Sequence, residues 1–430
     1  MSSATITFSR SSCAVTAHPN RIGLVTCATY QLDDSEKVIR SGDLHQIRLS
    51  GTRTPDNRLA LECNTVSTFE TCATLDAQWH AHSDTIATAG GDGRLSLYRY
   101  SPVTHNLSLL AASDILPEQQ PMCLSLDWAD RMNGRASPQL VTSDSAGGIH
   151  LFTLRPDGTL ANILSGSGVH EFEAWIAAFG QPETPVVSAD EKHVVFPDDE
   201  EVTLAAATAG PSLAPDAHPA LGCMVLSGGD DGVFRGWDLR MGFDSSVFTN
   251  RSHNAGVTAV SAPPESVSAG RPLVVSGSYD QSVRVWDLRS PRRPLETFEV
   301  GGGVWRLRWR DGWDPSWGAG GEGDSAPVAG LLVAAMHGGF RVLGLGPGGA
   351  LLSDGVAGGG NDLSTPEAVA AGSGRFPAAF HNSLAYGADW CRVPVTSSAE
   401  GTKAIETVGA TCSFYDKTFG AWTPSDCEWS

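Results

Sequence analysis

One phrase recurs along this chain and constrains its fold more than any other feature. The segments SGGDDGVFRGWDLR (Ser227–Arg240) and SGSYDQSVRVWDLR (Ser276–Arg289) align without a gap. Registered on Trp237 and Trp286, four further segments fall into line: Thr88–Tyr98, Thr142–Phe152, Val333–Leu343 and Cys412–Trp422. Each reads as strand, tight turn with Asp or Gly, strand. A weaker first copy runs over Leu24–Leu49. Upstream of most copies lies a short alternating segment closing on an aromatic, at Trp79, Trp128, Phe179, Trp309 and Trp390. That segment, the hairpin and a closing strand make one four-stranded unit. Such units bury their faces only against neighbours, so seven copies predict an all-β, seven-bladed propeller.

The blades fall at approximately 11–60, 61–112, 113–160, 165–240, 250–295, 298–345 and 380–425, in one domain over 1–430. The mean is about 61 residues per blade against a usual 40–45, so insertions are required. They read at 181–220, which holds the acidic run Asp198–Glu201, and at Gly-rich 311–330 and 344–377, as solvent loops or disorder. No helical periodicity of useful length appears. The strand near Cys13–Thr16 is left without blade mates. It is expected as the outer strand of the last blade, joining the two chain ends and removing two open edges.

Composition narrows the function. The 430 residues carry a net charge of −19, which argues against nucleic acid and favours a basic or cationic partner. Apolar residues make up 41%, enough for a large core. The nine cysteines form no CxxC pair and are odd in number, so a disulfide framework and a zinc ribbon are not expected and a reducing, cytoplasmic compartment is. The longest apolar runs, such as Leu331–Met336, are far short of a membrane span. The Ser-rich N-terminus faintly resembles a transit peptide, but Cys13–Thr16 and Leu24–Leu32 carry strand patterns.

The dipeptides Trp237-Asp238 and Trp286-Asp287 make the chain similar to the WD-repeat β-propellers. Longer strings sharpen this: HEFEAWIAAF (His170–Phe179), GGGVWRLRW (Gly301–Trp309), AAMHGGF (Ala334–Phe340), HNSLAYGADW (His381–Trp390) and ATCSFYD (Ala410–Asp416) occur in that order. Together they resemble the WD-repeat diphthine methylesterases of the diphthamide pathway, densely over blades four to seven and loosely before. The resemblance implies an enzyme acting on translation elongation factor 2. It would hydrolyse the methyl ester of a modified histidine that also bears a trimethylammonium group, releasing methanol and diphthine. No cofactor or metal is implied, and no catalytic residue carries over. Two other readings stand beside it. One is a non-catalytic scaffold or substrate receptor of a cullin-type ubiquitin ligase, from the WDLR strings at Trp237–Arg240 and Trp286–Arg289. The other is a methyl-lysine reader.

Candidate residues must therefore be argued from position. No G-x-S-x-G, HExxH or P-loop string is present. An ester can still be cleaved by a base that activates water beside donors for the oxyanion. The register places Asp92, Asp231, Asp280, His337 and Asp416 at one equivalent turn, and His170, His253 and His381 in the loops on the same face. Asp–His pairs there read as blade locks, and Trp237 and Trp286 as core. His337 replaces the turn Asp and is followed by Gly338-Gly339, whose bare backbone is expected to let a ligand approach; it is the leading general base, with His381 and His170 next. Asp389 and Glu173, read as inner-strand carboxylates near the channel, are candidate partners or orienters. Trp175, Trp305 and Tyr386 share one level and form a candidate cage for a quaternary ammonium. Arg306 is placed to hold a carboxylate or oxyanion, or equally to salt-bridge a turn Asp.

Overall fold

Short alternating segments broken by Gly, Asp and Asn turns give strands almost throughout. The computed structural model describes residues 3–33, 39–56, 58–116, 120–129, 138–180, 224–312, 327–356, 381–398, 402–424 and 428–429. The chain opens with β1 (Ser3–Thr7), β2 (Ser11–Ala17), β3 (Leu24–Asp33), β4 (Ile39–Arg53) and β5 (Leu59–Cys72). Sheet B is β6 (Thr74–Trp79), β7 (Thr85–Gly90), β8 (Arg94–Tyr100) and β9 (Leu107–Asp114). Sheet C is β10 (Cys123–Trp128), β11 (Gln139–Asp144), β12 (Ile149–Leu154) and β13 (Leu160–Gly166). Sheet D is β14 (Ile176–Phe179), β15 (Met224–Gly228), β16 (Phe234–Asp238) and β17 (Phe248–Asn250). Sheet E is β18 (Val257–Ser261), β19 (Leu273–Ser278), β20 (Ser282–Asp287) and β21 (Glu296–Glu299), with the single helical turn α1 (Glu265–Ser268) after β18. Sheet F is β22 (Arg306–Asp311), β23 (Ala329–Ala334), β24 (Phe340–Leu345) and β25 (Leu351–Val356). The chain ends with β26 (Ala385–Ser397), β27 (Lys403–Ser413), β28 (Thr418–Trp422) and β29 (Glu428–Trp429), the last pairing with β25.

Five sheets thus stand separately as blades, and the remaining strands form one eight-stranded sheet A. Sheet A joins two antiparallel runs, β2-β3-β4-β5 and β26-β27-β28-β1. The join is a short parallel pairing of Val395–Ser397 with Gly51–Arg53. The innermost strands pack in a closed cycle, β2 to β6, β10, β14, β18, β22, β26 and back to β2. Hydrophobic clusters fill the gaps between neighbouring sheets; between D and E, for example, Phe234 and Trp286 pack with Val257 and Leu226. The architecture is an all-β propeller in which the aromatic-ending segments are the inner strands.

Two expectations need correction. Ring closure uses β1, which pairs with β28 from Ser3↔Trp422 to Thr7↔Thr418. Cys13–Thr16 lie instead in β2, an innermost strand. Burial explains the exchange: β2 is buried along its middle, as a strand covered on both faces must be, whereas β1 alternates exposed and half-buried, as an edge strand does. Segment 344–377 is not wholly an insertion either. It supplies β25, the fourth strand of sheet F, and was obscured because LLSDGV lacks β-branched alternation. Residues 357–377, 313–326 of the second insertion, and the whole of 181–220 with Asp198–Glu201 lie outside the described residues.

Ala4, Ile6 and Phe8 pack from this clasp onto the core between the two halves of sheet A. Removing residues 1–8 should therefore lower the melting temperature by several degrees or cause aggregation through the bared β28 edge. Differential scanning calorimetry with light scattering checks this, and an unchanged melting curve would count against the clasp.

Candidate functional site

One hydrogen-bonded chain locks the turns of sheets D and E. In sheet E, Asp280 accepts the Nδ1–H of His253 at 2.9 Å, and His253 Nε2 lies 2.7 Å from Ser276 Oγ, which accepts the Trp286 indole N–H at 2.8 Å. Sheet D repeats it with Asp231, His170, Ser227 and Trp237, at 3.0, 2.8 and 2.9 Å. The end donor fixes the polarity. Indole donates to the hydroxyl oxygen, the hydroxyl donates to Nε2, and Nδ1–H donates to the carboxylate. In sheet A a serine is inserted: His381 Nδ1 meets Ser413 Oγ at 2.5 Å, and Ser413 donates to Asp416 at 2.5 Å. His381 Nε2 meets Thr411 Oγ1 at 2.9 Å, which accepts the Trp422 N–H at 3.1 Å.

His170 and His381 therefore have both ring nitrogens engaged and are buried, at 2% and 6% exposure. A general base needs a lone pair within reach of water, and neither ring offers one. Among the described residues Asp92 has no histidine partner; burial, reinforced by Asp92, pushes the facing Cys72 thiol up to about 11. His337 differs from all of these. It lies exposed in the β23–β24 turn and makes no side-chain hydrogen bond among the described residues. Its glycine neighbour does not open the backbone to a ligand, however. A Cβ on Gly302 would fall 2.0 Å from Ala335 O and 2.3 Å from Gly338 N, and one on Gly338 2.7 Å from Val300 O, so Gly302 and Gly338 are needed for two loops to pack backbone on backbone. This packing replaces the missing Asp–His lock of sheet F.

Above the inner strands, Trp175, Trp305 and Tyr386 do come together. Trp175 and Trp305 are 5.6 Å apart between centroids, and Trp305 and Tyr386 are 4.8 Å apart. Tyr279, from the turn of sheet E, completes a triangle at 6.2 Å from Trp175 and 6.1 Å from Trp305. Phe414 extends the row 5.0 Å beyond Tyr386. Exposed Asp230 accepts the Trp175 indole N–H at 2.9 Å. Burial, and then Tyr386 and Asp230, hold the Tyr279 phenol well above its ordinary value. Tyr279, Asp230 and Phe414 were missed from the sequence. The signal was available, since Asp230 and Tyr279 each immediately precede the aligned turn residue, and Phe414 lies one further back.

Arg306 is 5% exposed and already occupied. It donates to Trp305 O at 3.1 Å and to Leu75 O at 3.2 Å, lies 3.4 Å from Asp76, and sits 5.4 Å from the Trp305 ring. Its carboxylate partner is thus on the inner strand across the channel, not at a turn. Asp389 stitches the ring. Its Oδ2 accepts the Ala17 N–H at 2.8 Å and its Oδ1 the Trp390 N–H at 2.8 Å. Burial nevertheless raises its pKa. Asp76 and Asp127 likewise accept the N–H groups of Leu126 and Phe179 on the next sheet. Glu173 is not on an inner strand; it lies in the loop before β14, half-buried near Tyr279. In the WDLR strings, Arg240 and Arg289 fold back on Asp238 and Asp287 at 2.5 and 2.6 Å.

Fold and turn chemistry together define a WD-repeat β-propeller. A model of the WD domain, G-beta repeat, matches residues 244–287. The chain is 29% identical over 340 residues to a mouse diphthine methyltransferase, covering 74% of this chain and 58% of that protein. It is 28% identical to the human protein of the same name, covering 74% and 62%. It is also 28% identical to a Dictyostelium discoideum diphthine methyltransferase homolog, covering 81% and 76%. The chain thus spans about three fifths of the length of the mouse and human relatives. Among solved structures, a chain of the mitotic checkpoint complex superposes with a TM-score of 0.53 at 14% identity, covering 97% of this chain and 90% of its own. The Saccharomyces cerevisiae protein Sqt1 does so at 0.53 and 13%, covering 98% and 99%. These two speak to the fold alone.

Burial drives the His381 pKa from 6.5 down to about 3. Between those values the unfolded chain binds a proton that the folded chain refuses. The contribution is therefore complete above pH 6.5 and is lost as pH falls towards 3. From pH 7 to pH 5 this amounts to about 2 kcal/mol. His381→Gln should cost roughly 1–3 kcal/mol at pH 7 and lose less stability on acidification than the unaltered chain. Urea denaturation at both pH values measures this, and parallel losses would show that His381 is not held neutral.

Proposed function

We propose that this chain is a seven-bladed propeller, with sheet A counting as two blades, that hydrolyses the methyl ester of methylated diphthine on translation elongation factor 2. The products are diphthine and methanol, a late step of diphthamide biosynthesis. The observation that carries the reading is the triangle of Trp175, Tyr279 and Trp305 with Asp230 beside it. Aromatic faces with a nearby carboxylate suit a quaternary ammonium, which the inferred substrate carries next to its ester. The relatives named for diphthine chemistry support the pathway.

In this mechanism the trimethylammonium group rests on the Trp175, Tyr279 and Trp305 faces, with Tyr386 at the side. His337 takes a proton from water as the oxygen attacks the ester carbonyl. It returns the proton to the departing methoxide, which leaves as methanol. Arg306 acts as a positioning residue: its bonds to Trp305 O and Leu75 O hold Trp305 at the rim. Glu173 and Asp230 add negative potential beside the cation. His170, His381 and Asp389 serve the fold. The net charge of −19 favours approach of a basic surface on the partner.

The name of these relatives favours a second reading, transfer of a methyl group in the same pathway. One assay separates the two. Elongation factor 2 bearing the methyl-ester intermediate is incubated with the protein, and free methanol and the mass of the modified histidine are followed. Hydrolysis consumes one water and releases one methanol per site, and the modified histidine loses about 14 mass units as the ester methyl is replaced by hydrogen; mass gain from an added methyl donor would establish transfer instead. His337→Asn should lower turnover about 100-fold or more with little change in affinity. Trp305→Ala should weaken binding by about 1–2 kcal/mol. Near-normal turnover in His337→Asn would remove histidine as the base.

A further inference from the structure

The channel does not end at the aromatic rim. Arg306 crosses it to Leu75 and Asp76, and on the far side of that bar lies a cavity of about 480 Å³. It sits towards the other end of the ring: Trp79 and Trp128, the last residues of β6 and β10, line it, as does Glu265 at the start of α1. It is therefore separate from the rim. Its chemistry is bipolar. Asp76, Asp127 and Asp389 line it from three inner strands, and Arg306 and Arg308, two residues apart on one side of β22, line it from a fourth.

These charges are not equally committed. Arg306 pairs with Asp76, while Asp127 and Asp389 accept backbone N–H groups across the sheet seams. Arg308 is half-buried and donates to the carbonyl of its neighbour Leu307 at 3.2 Å; among the described residues its guanidinium makes no close ion pair, although its charge favours the ionised form of Asp389. A lone anion would meet three carboxylates, and a lone cation two guanidinium groups. A small ligand carrying both signs meets complementary charge at each end.

We propose that this cavity binds a small zwitterion, its carboxylate on Arg308 and its ammonium or quaternary ammonium beside the Asp127 and Asp389 carboxylates. Resting on the function proposed above, the inference gives the cavity a role: ester hydrolysis converts a cationic head into a zwitterion, a carboxylate beside a trimethylammonium, and the cavity takes that class of group.

The test is calorimetric titration of the full chain with glycine betaine, choline and acetate in parallel. Betaine should bind saturably, and choline and acetate at least about tenfold more weakly, each lacking one charge. Arg308→Gln should weaken betaine about tenfold or more. Ser261→Phe, which fills the cavity from the end of β18, should abolish binding, with circular dichroism confirming the fold. Equal affinity for all three probes, no saturable betaine binding, or betaine binding untouched by both variants overturns the proposal. Methanol release measured on the same preparation keeps the two readings apart. Turnover without betaine binding removes this inference alone, and betaine binding without turnover removes the esterase reading alone.

Discussion

A sheet of four short strands has two apolar faces and no core of its own, and everything else in this protein follows from how those faces are covered. Each sheet packs between two neighbours, so the only arrangement that leaves no bare face is a closed cycle. Closure is hardest where the chain begins and ends. Here two devices converge on sheet A: β1 completes the run begun by β26, and Val395–Ser397 pairs directly with Gly51–Arg53. Asp389 adds a third across the same seam through the Ala17 N–H. A buried carboxylate that accepts backbone N–H groups joins two sheets without needing a side-chain partner.

The same economy of buried polar groups orders the opposite face. The chain from indole to hydroxyl to imidazole to carboxylate satisfies each buried donor while tying a turn to the loop that leads into the inner strand. Where that chain is present, the histidine is withdrawn from chemistry. Where it is absent, in sheet F, glycines bring the two loops together and the imidazole is left at the surface. The rim therefore owes its positions to the locks beneath it: Asp230 and Tyr279 project from turns whose next residue, Asp231 or Asp280, is held by a histidine.

Arg306 connects the two halves of the channel. It lies 5.4 Å from the Trp305 ring and reaches the opposite sheet at Leu75 and Asp76. Its burial with a partner at 3.4 Å makes it a strut, and removing it would leave Asp76 as an unpaired buried charge. An aromatic vestibule on one side and a charged cavity on the other are thus both organised by one guanidinium.

The repeat, its register and the all-β class were legible in the sequence, because turn residues and period-2 alternation are local properties that survive alignment of one copy on another. The meeting of Trp175, Trp305 and Tyr386 was legible for the same reason, since equal register puts residues at equal height. Which strand closes the ring was not: Cys13–Thr16 and Ser3–Thr7 are both short stretches mixing Thr with small or apolar residues, and only burial on both faces distinguishes an inner strand from an edge. Nor did residue type reveal which histidines are engaged. His170 and His381, in loops before inner strands, and His337, in a hairpin turn, are the same side chain on the same face of the ring. The partners that decide their chemistry lie about 57 residues along the chain for His170 and about 30 for His381, and are brought to the ring nitrogens only when the sheets fold.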